Sequence, residues 1–67
     1  MNHSKELKRI LLANNCYIMH QGNGEYEIWF SPISNQEFIV ENDISSNLTA
    51  DAVLKHAGLD QVFTYKT

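Results

Sequence analysis

Few side chains in this chain of 67 residues could do chemistry, and two of them flank a glycine-rich segment. His20 precedes Gly22-Asn23-Gly24, and Tyr26 follows it. This segment predicts a tight turn between two strands, which would bring the imidazole and the phenol towards each other. Imidazole is a suitable general base near neutral pH, whereas a phenol accepts protons poorly. The alternatives are an exposed strand-end His20 and a Tyr26 that packs on Ile28 or recognises a ligand.

The remaining reactive side chains form no recognisable site. Cys16 is the single cysteine, so we expect a small buried residue in a reducing, cytoplasmic protein rather than a disulfide. His3, His56 and Cys16 lack the spacing of a zinc site. The two glycines lack the helix and the lysine of a phosphate-binding loop. The sequence therefore predicts neither a metal nor a cofactor.

The charge balance argues against a nucleic acid as the main ligand. The formal net charge is −3, with five basic and eight acidic residues, whereas affinity for a phosphate backbone comes from lysine and arginine. A local basic patch could still bind RNA weakly. Its candidate residues are Lys5, Lys8, Arg9 and Lys55. No apolar run approaches the roughly 20 residues of a membrane span, so no membrane partner is expected.

An amphipathic helix is predicted near the start of the chain. Ser4 is the expected N-cap of a helix over residues 5–14, and its apolar stripe consists of Leu7, Ile10 and Leu11. The helix should end at Asn14-Asn15, because asparagine tolerates the left-handed conformation found at helix ends.

Three strands and a second helix complete a single domain over residues 1–67, with an ordered core from about 4 to 63. The β-prone segments are residues 16–21, 25–31 and 37–40. The second helix has Thr49 as its expected N-cap and Asp51 near the positive end of its dipole, and it ends at Gly58. Residues 59–63 should form a last turn and residues 64–67 should fray. The predicted fold is two-layer α+β, α-β-β-β-α, with both helices on one face of a three-stranded antiparallel sheet.

The uncovered face of this sheet is the expected partner surface. Alternation along the second strand directs Tyr26, Ile28 and Phe30 towards the core. Glu27 and Trp29 would then lie on the open face, unless a bulge shifts the parity and buries the indole. An acidic face with an aromatic anchor suits a protein better than RNA. The candidate partner-binding residues are Glu27, Trp29 and Ile39.

Three segments in order resemble the HicA-type (YcfA-like) toxins of bacterial toxin–antitoxin pairs. They are GNGEYEIW (residues 22–29), SPISN (31–35) followed by Phe38 and Val40, and TADAVLKHAGL (49–59). The resemblance covers nearly the whole chain. It implies a single HicA-like domain with a fold like that of double-stranded-RNA-binding domains, metal-independent mRNA cleavage in the cytoplasm and a HicB-like antitoxin as partner.

Two departures from the family pattern bear on activity. Members place a catalytic histidine two residues after the second glycine, where this chain has Tyr26. They also tend to carry basic residues just before the last helix, where this chain has Asn47 and Leu48. The resemblance therefore makes Tyr26 the catalytic position, with His20 as a substitute base, and implies impaired cleavage.

Three interpretations stay open from the sequence. The chain could be an mRNA-cleaving toxin, a non-catalytic descendant that binds protein or RNA with the same fold, or an unrelated α+β interaction domain. For the chemistry of this chain we favour the non-catalytic descendant.

Overall fold

The computed structural model describes residues 2–22 and 24–59. Its elements are α1 (Ser4–Ala13), β1 (Tyr17–Gln21), β2 (Tyr26–Ser31), β3 (Gln36–Glu41) and α2 (Asn47–His56). The strands form one antiparallel sheet in the order β1-β2-β3. The predicted α+β fold and its order of elements are confirmed. The expected end of the last turn, residues 60–63, and the expected frayed residues 64–67 lie outside the described part of the chain.

The first helix begins one residue earlier than predicted. His3 is its N-cap, without a side-chain cap, and the hydroxyl of Ser4 donates instead to the carbonyl of Glu41 at 3.0 Å. The prediction that Ser4 caps the helix is therefore wrong, and this residue ties α1 to the end of β3. The predicted C-terminal signal is confirmed, because Asn15 adopts a φ of 69° directly after the helix.

The second helix also has a different cap. The side chain of Ser46 accepts a hydrogen bond of 3.1 Å from the Leu48 amide, so the helix begins at Asn47. Thr49 lies inside the first turn, and its predicted role as N-cap is wrong. The last helical residue is His56, and the predicted stop signal Gly58 follows two residues later with a φ of 78°, in the left-handed region that glycine adopts at low cost.

The core lies between the two helices and one face of the sheet. Cys16 is buried there as expected. The other core side chains include Leu7 and Leu11 of α1, Trp29 of β2, Phe38 and Val40 of β3, and Ala50 and Leu54 of α2. Every residue of β1 is exposed, so the helix layer covers β2 and β3 rather than the whole sheet. Neither helix of the described residues has the length and apolarity needed to cross a bilayer.

The covered face of β2 is the opposite of the one predicted. Trp29 is 1% exposed and pairs with Phe38 across the sheet. The predictions that Trp29 and Glu27 lie on the open face, and that Tyr26, Ile28 and Phe30 face the core, are wrong. Two-residue alternation defines two faces equally well, and only the packing of the helices decides which of them is buried.

A β-bulge at Met19 changes the facing of β1. Ile18 pairs with Trp29 and His20 pairs with Ile28, so Met19 is the extra residue. Because of this insertion, His20 lies on the same face as Ile28. Ile18 lies on the helix side of the sheet, but it stays exposed where the helices do not reach.

Candidate functional site

The sheet surface that the helices leave uncovered is here called the open face. Its members are Tyr17 and His20 of β1, Tyr26, Ile28 and Phe30 of β2, and Glu37, Ile39 and Glu41 of β3. Its centre is apolar: Ile39 is 58% exposed and Tyr17 is 50% exposed. The Tyr17 and Phe30 rings lie 5.5 Å apart at a tilt of 41°. The predicted place of Ile39 on this face is confirmed.

Charge on the open face has one sign. Glu37 and Glu41 flank Ile39 along β3, and no lysine or arginine lies on the face within the described residues. A negatively charged backbone approaching this surface would meet two carboxylates and no compensating cation. The face therefore repels phosphate and leaves apolar area available for a different ligand.

Tyr26 packs over a glycine rather than projecting freely. The Gly22 amide donates to the Tyr26 carbonyl at 3.0 Å. A Cβ built on Gly22 would lie 2.7 Å from two ring carbons of Tyr26, so the phenol ring occupies the space that the missing side chain leaves. The ring is half-buried and held in place across the turn. This contact gives Tyr26 a structural role that does not depend on catalysis.

His20 and Tyr26 share the open face, as the two candidate acid–base residues would have to. His20 is exposed, and no hydrogen bond or ion pair of its side chain occurs within residues 2–22 and 24–59. An activated general base is normally oriented by a third group, which this histidine lacks among the described residues. The geometry brings the pair to one surface, with no hydrogen bond between the two side chains among the described residues.

The candidate RNA-binding cations are mostly engaged within the protein. Lys8 lies 3.0 Å from Glu27 and also donates to the side-chain oxygen of Asn42 at 2.6 Å. Arg9 pairs with Glu6 at 2.6 Å. Lys55 pairs with Asp51 at 3.4 Å within α2. The sequence predicted an interaction of Asp51 with the helix dipole but not this ion pair.

Lys5 alone among the four candidate cations has no ion pair within the described residues. All four side chains belong to the helices, whereas Tyr26 and His20 lie on the sheet face away from the helices. The structure therefore does not bring the predicted RNA-binding residues together with the predicted catalytic ones.

Glu27 belongs to a polar cluster beneath α1. Its Oε1 accepts from Lys8 and from the indole nitrogen of Trp29, both at 3.0 Å. Burial favours a raised pKa for Glu27, but the hydrogen bonds from Lys8 and Trp29 and the Lys8 charge outweigh it and hold the pKa below its ordinary value. The carboxylate stabilises the fold, and the partner-binding role predicted for it lacks the required exposure.

Asn47 and Leu48 were expected just before the last helix, but they belong to its first turn and lie outside the open face. Asn47 is the first residue of α2, and Leu48 follows it with 82% exposure. Within the described residues, no three histidine, cysteine, aspartate or glutamate side chains cluster as metal ligands would.

Two features were missed from the sequence. Tyr17 joins the open face only because of its register opposite Phe30. A shallow groove between α2 and the start of β3 is lined by Gln36, Ala52, Lys55 and His56. Neither had a local signal, since both depend on contacts between distant segments. No family model, curated protein sequence or solved structure matches the chain.

Proposed function

We propose that this chain is a non-catalytic protein-binding module with the architecture of a HicA-type toxin, and that its open face binds a cognate partner in the cytoplasm. The observation that carries the proposal is the composition of that face. Tyr17, Ile28, Phe30 and Ile39 supply apolar and aromatic area, and the charged residues on it are acidic. Aromatic residues with a polar rim are typical of protein interfaces.

The partner's chemistry follows from the charges. Glu37 and Glu41 stand on either side of Ile39, so a complementary surface would be apolar at its centre and carry lysine or arginine at the matching edge. The resemblance to HicA-type toxins makes a HicB-like antitoxin the expected partner. The product of the reading frame adjacent to this one is the first protein to test.

The test is titration calorimetry of the chain with that product at physiological salt. We expect Ile39→Lys and Tyr17→Lys each to weaken binding at least roughly tenfold. Each variant replaces apolar contact area with a cation, which a partner surface rich in lysine or arginine would repel. Leu48→Lys is the matched control, since Leu48 is more exposed than either residue and lies on α2. It should bind like the unmodified chain.

The proposal would be overturned if the adjacent product forms no complex with the folded chain. It would also be overturned if Leu48→Lys weakens the complex while the two open-face variants do not. Circular dichroism of each variant establishes that a change in affinity does not come from unfolding.

A second candidate function, metal-independent RNA cleavage, is favoured by one observation. The bulge at Met19 places His20 on the same face as Tyr26, where an imidazole and a phenol could act on one ribose. A growth assay decides: the cleavage hypothesis predicts growth arrest on expression of the chain alone, lost in both His20→Ala and Tyr26→Phe. Growth arrest that persists in both variants, or its absence in the unmodified chain, argues against cleavage.

A further inference from the structure

The outer edge of β3 presents backbone groups that the sheet does not use. The Asn42 amide donates to the Glu25 carbonyl at 2.9 Å, which makes this a hydrogen-bonded pair just beyond β3. In an antiparallel ladder such pairs alternate, so every second residue of β3 directs its amide and carbonyl away from β2. The residues with outward backbone groups are Glu37, Ile39 and Glu41.

One end of this edge is already closed. The carbonyl of Glu41 accepts the hydrogen bond from Ser4, which confirms that it points away from β2. The amides and carbonyls of Glu37 and Ile39 have no protein partner within residues 2–22 and 24–59. Four adjacent backbone groups are thus free to pair with an extended chain.

The other edge of the sheet is less suitable. The bulge at Met19 interrupts the spacing of outward groups along β1, and bulges of this kind hinder the addition of a further strand. β3 pairs with β2 in regular register from Gln36 to Glu41.

A shallow groove lies at one end of the usable edge. It separates α2 from the start of β3, and it is lined by Gln36, Ala52, Lys55 and His56. The hydroxyl of Ser31 donates to the Ala57 carbonyl at 2.6 Å, and that of Ser34 donates to the His56 carbonyl at 2.8 Å. These bonds hold the end of α2 against the β2–β3 hairpin, next to the groove.

We propose that the edge of β3 binds an extended segment of another protein, which adds to the sheet as a fourth, antiparallel strand. The pairing would use the amides and carbonyls of Glu37 and Ile39. This site adjoins the partner surface proposed above and shares the side chains of Glu37, Ile39 and Glu41 with it. It differs in using the outward backbone groups of β3, which a partner lying on the open face does not need.

The side chains around the β3 edge determine which residues the added segment should carry. On the open-face side, Glu37 and Glu41 flank Ile39, which favours an apolar residue with lysine or arginine two positions away on either side. On the groove side, Lys55 stays largely exposed although it pairs with Asp51 at 3.4 Å, and with His56 it favours a carboxylate at one of the intervening positions. A core that meets these conditions is Lys-Thr-Val-Glu-Lys. Its valine lies opposite Ile39, its two lysines lie opposite Glu41 and Glu37, and its glutamate points to the groove side.

A second copy of this chain does not fit that description. Two β3 strands paired antiparallel about Ile39 would place Glu37 of one copy opposite Glu41 of the other, twice. Like charges directly opposite each other destabilise a strand pair. The same two carboxylates that attract a basic strand therefore exclude self-pairing.

The experiment measures fluorescence anisotropy of a labelled nine-residue peptide with this core, titrated with the full chain at physiological salt. We expect saturable binding, and none for the charge-reversed core Glu-Thr-Val-Lys-Glu. Glu37→Pro should weaken binding roughly tenfold, because it removes an outward amide without breaking a β2–β3 bond. Glu37→Gln keeps the backbone N–H and removes only the charge, so the affinity for the peptide should fall only about threefold.

Amide hydrogen exchange of the unmodified chain gives an independent measurement. The amides of Glu37 and Ile39 should become protected when the peptide is added, and Tyr17→Lys should leave this protection unchanged. Absence of saturable binding, or unchanged exchange at both amides in the presence of the peptide, would overturn the proposal. Equal affinity of Glu37→Pro and Glu37→Gln would overturn it as well.

Discussion

The indole nitrogen of Trp29 donates a 3.0 Å hydrogen bond to Oε1 of Glu27, two residues earlier on β2. Both side chains lie on the helix-covered face, and Lys8 of α1 approaches the same oxygen at 3.0 Å. The most prominent aromatic residue of the chain is therefore part of the core, held to α1 through a shared carboxylate. The β2 residues of opposite parity, Ile28 and Phe30 among them, form the open face instead.

Trp29→Ala should destabilise the domain strongly. The side chain is 1% exposed, and truncating a buried tryptophan typically costs about 3–5 kcal/mol. In a domain of this size such a loss should leave the chain largely unfolded near room temperature. Urea denaturation monitored by circular dichroism measures the change. Leu48→Ala, at the most exposed large apolar residue, should stay within about 0.5 kcal/mol of the unmodified chain.

Acid should weaken the fold through Glu27. The pKa of this carboxyl is lower in the folded protein than its ordinary value of 4.5, so the folded state binds its proton less readily than the unfolded state does. Its stabilising contribution is present above about pH 4.5 and is lost as the pH falls through the folded-state pKa. Glu27→Gln should lower stability at neutral pH and flatten its decline in acid.

A matched Glu25→Gln variant controls for the loss of one carboxylate from the same hairpin. Glu25 is exposed, and neither Lys8 nor Trp29 contacts its side chain within the described residues. Urea denaturation across the acid range compares the two variants. An identical pH dependence in both would contradict the role assigned to Glu27.

Gly22 and Tyr26 should be energetically coupled. A Cβ at position 22 would lie 2.7 Å from the phenol ring, so Gly22→Ala must displace the ring. Overpacking of this kind typically costs about 1–3 kcal/mol. In the Tyr26→Ala background the same change should cost much less, and a double-mutant cycle measures the difference. Additive effects would show that the ring does not depend on the glycine.

Tyr26→His alone should not produce measurable RNA cleavage. The substitution supplies an imidazole, but catalysis also needs positive charge to hold the substrate and stabilise the transition state. Glu41 pairs directly with Tyr26 across β2 and β3, so Glu41→Arg would put a cation beside the new histidine. The double variant should cleave a labelled RNA faster than either single variant. Equal, undetectable cleavage in all three would count against this account.

Asn47 and Leu48, where HicA-type toxins tend to carry basic residues, provide a second place to add positive charge for comparison. Asn47→Arg with Leu48→His supplies a basic pair like that of HicA-type toxins at the start of α2, in the helix layer rather than on the open face. Combined with Tyr26→His, it should exceed the single Tyr26→His variant but fall below the combination that includes Glu41→Arg. The reverse order would show that substrate reaches Tyr26 from the α2 side.

RNA binding by the unmodified chain should be weak and steeply reduced by salt. Lys5 is the only candidate cation without an ion pair in the described residues, so few phosphates can be neutralised at a time. Lys5→Ala should abolish most of the remaining binding at low salt, and Arg9→Ala should change it less. Filter binding across a salt series tests both, and tight binding at physiological salt would contradict the expectation.

Turn and helix-end residues made the order of elements predictable from the sequence. Gly24 and Gly58 both have positive φ, and so does Asn15 after the first helix. These residue types adopt that conformation at lower cost than others, so their requirement is local and can be recognised without knowing the rest of the fold. The apolar repeats of the helices are likewise local and predicted Leu7 and Leu11 in the core.

The choice of the buried sheet face was decided only by the tertiary structure. Both faces of β2 carry large apolar side chains, with Trp29 on one face and Ile28 and Phe30 on the other. Local alternation assigns both faces the same status, because it contains no information about where the helices pack. Lys8 comes from a different segment and offsets the burial of Glu27, which removes the main cost of burying the Trp29 face.

The composition of the open face also depends on contacts between segments that are distant in the sequence. His20 reaches it because the bulge at Met19 shifts its register by one residue, and Tyr17 joins Phe30 through strand pairing. A bulge is a property of two strands together and leaves no mark in one strand's pattern. The sequence by itself determined which elements form and in what order; the packing of distant residues determined which surface of the sheet stays uncovered.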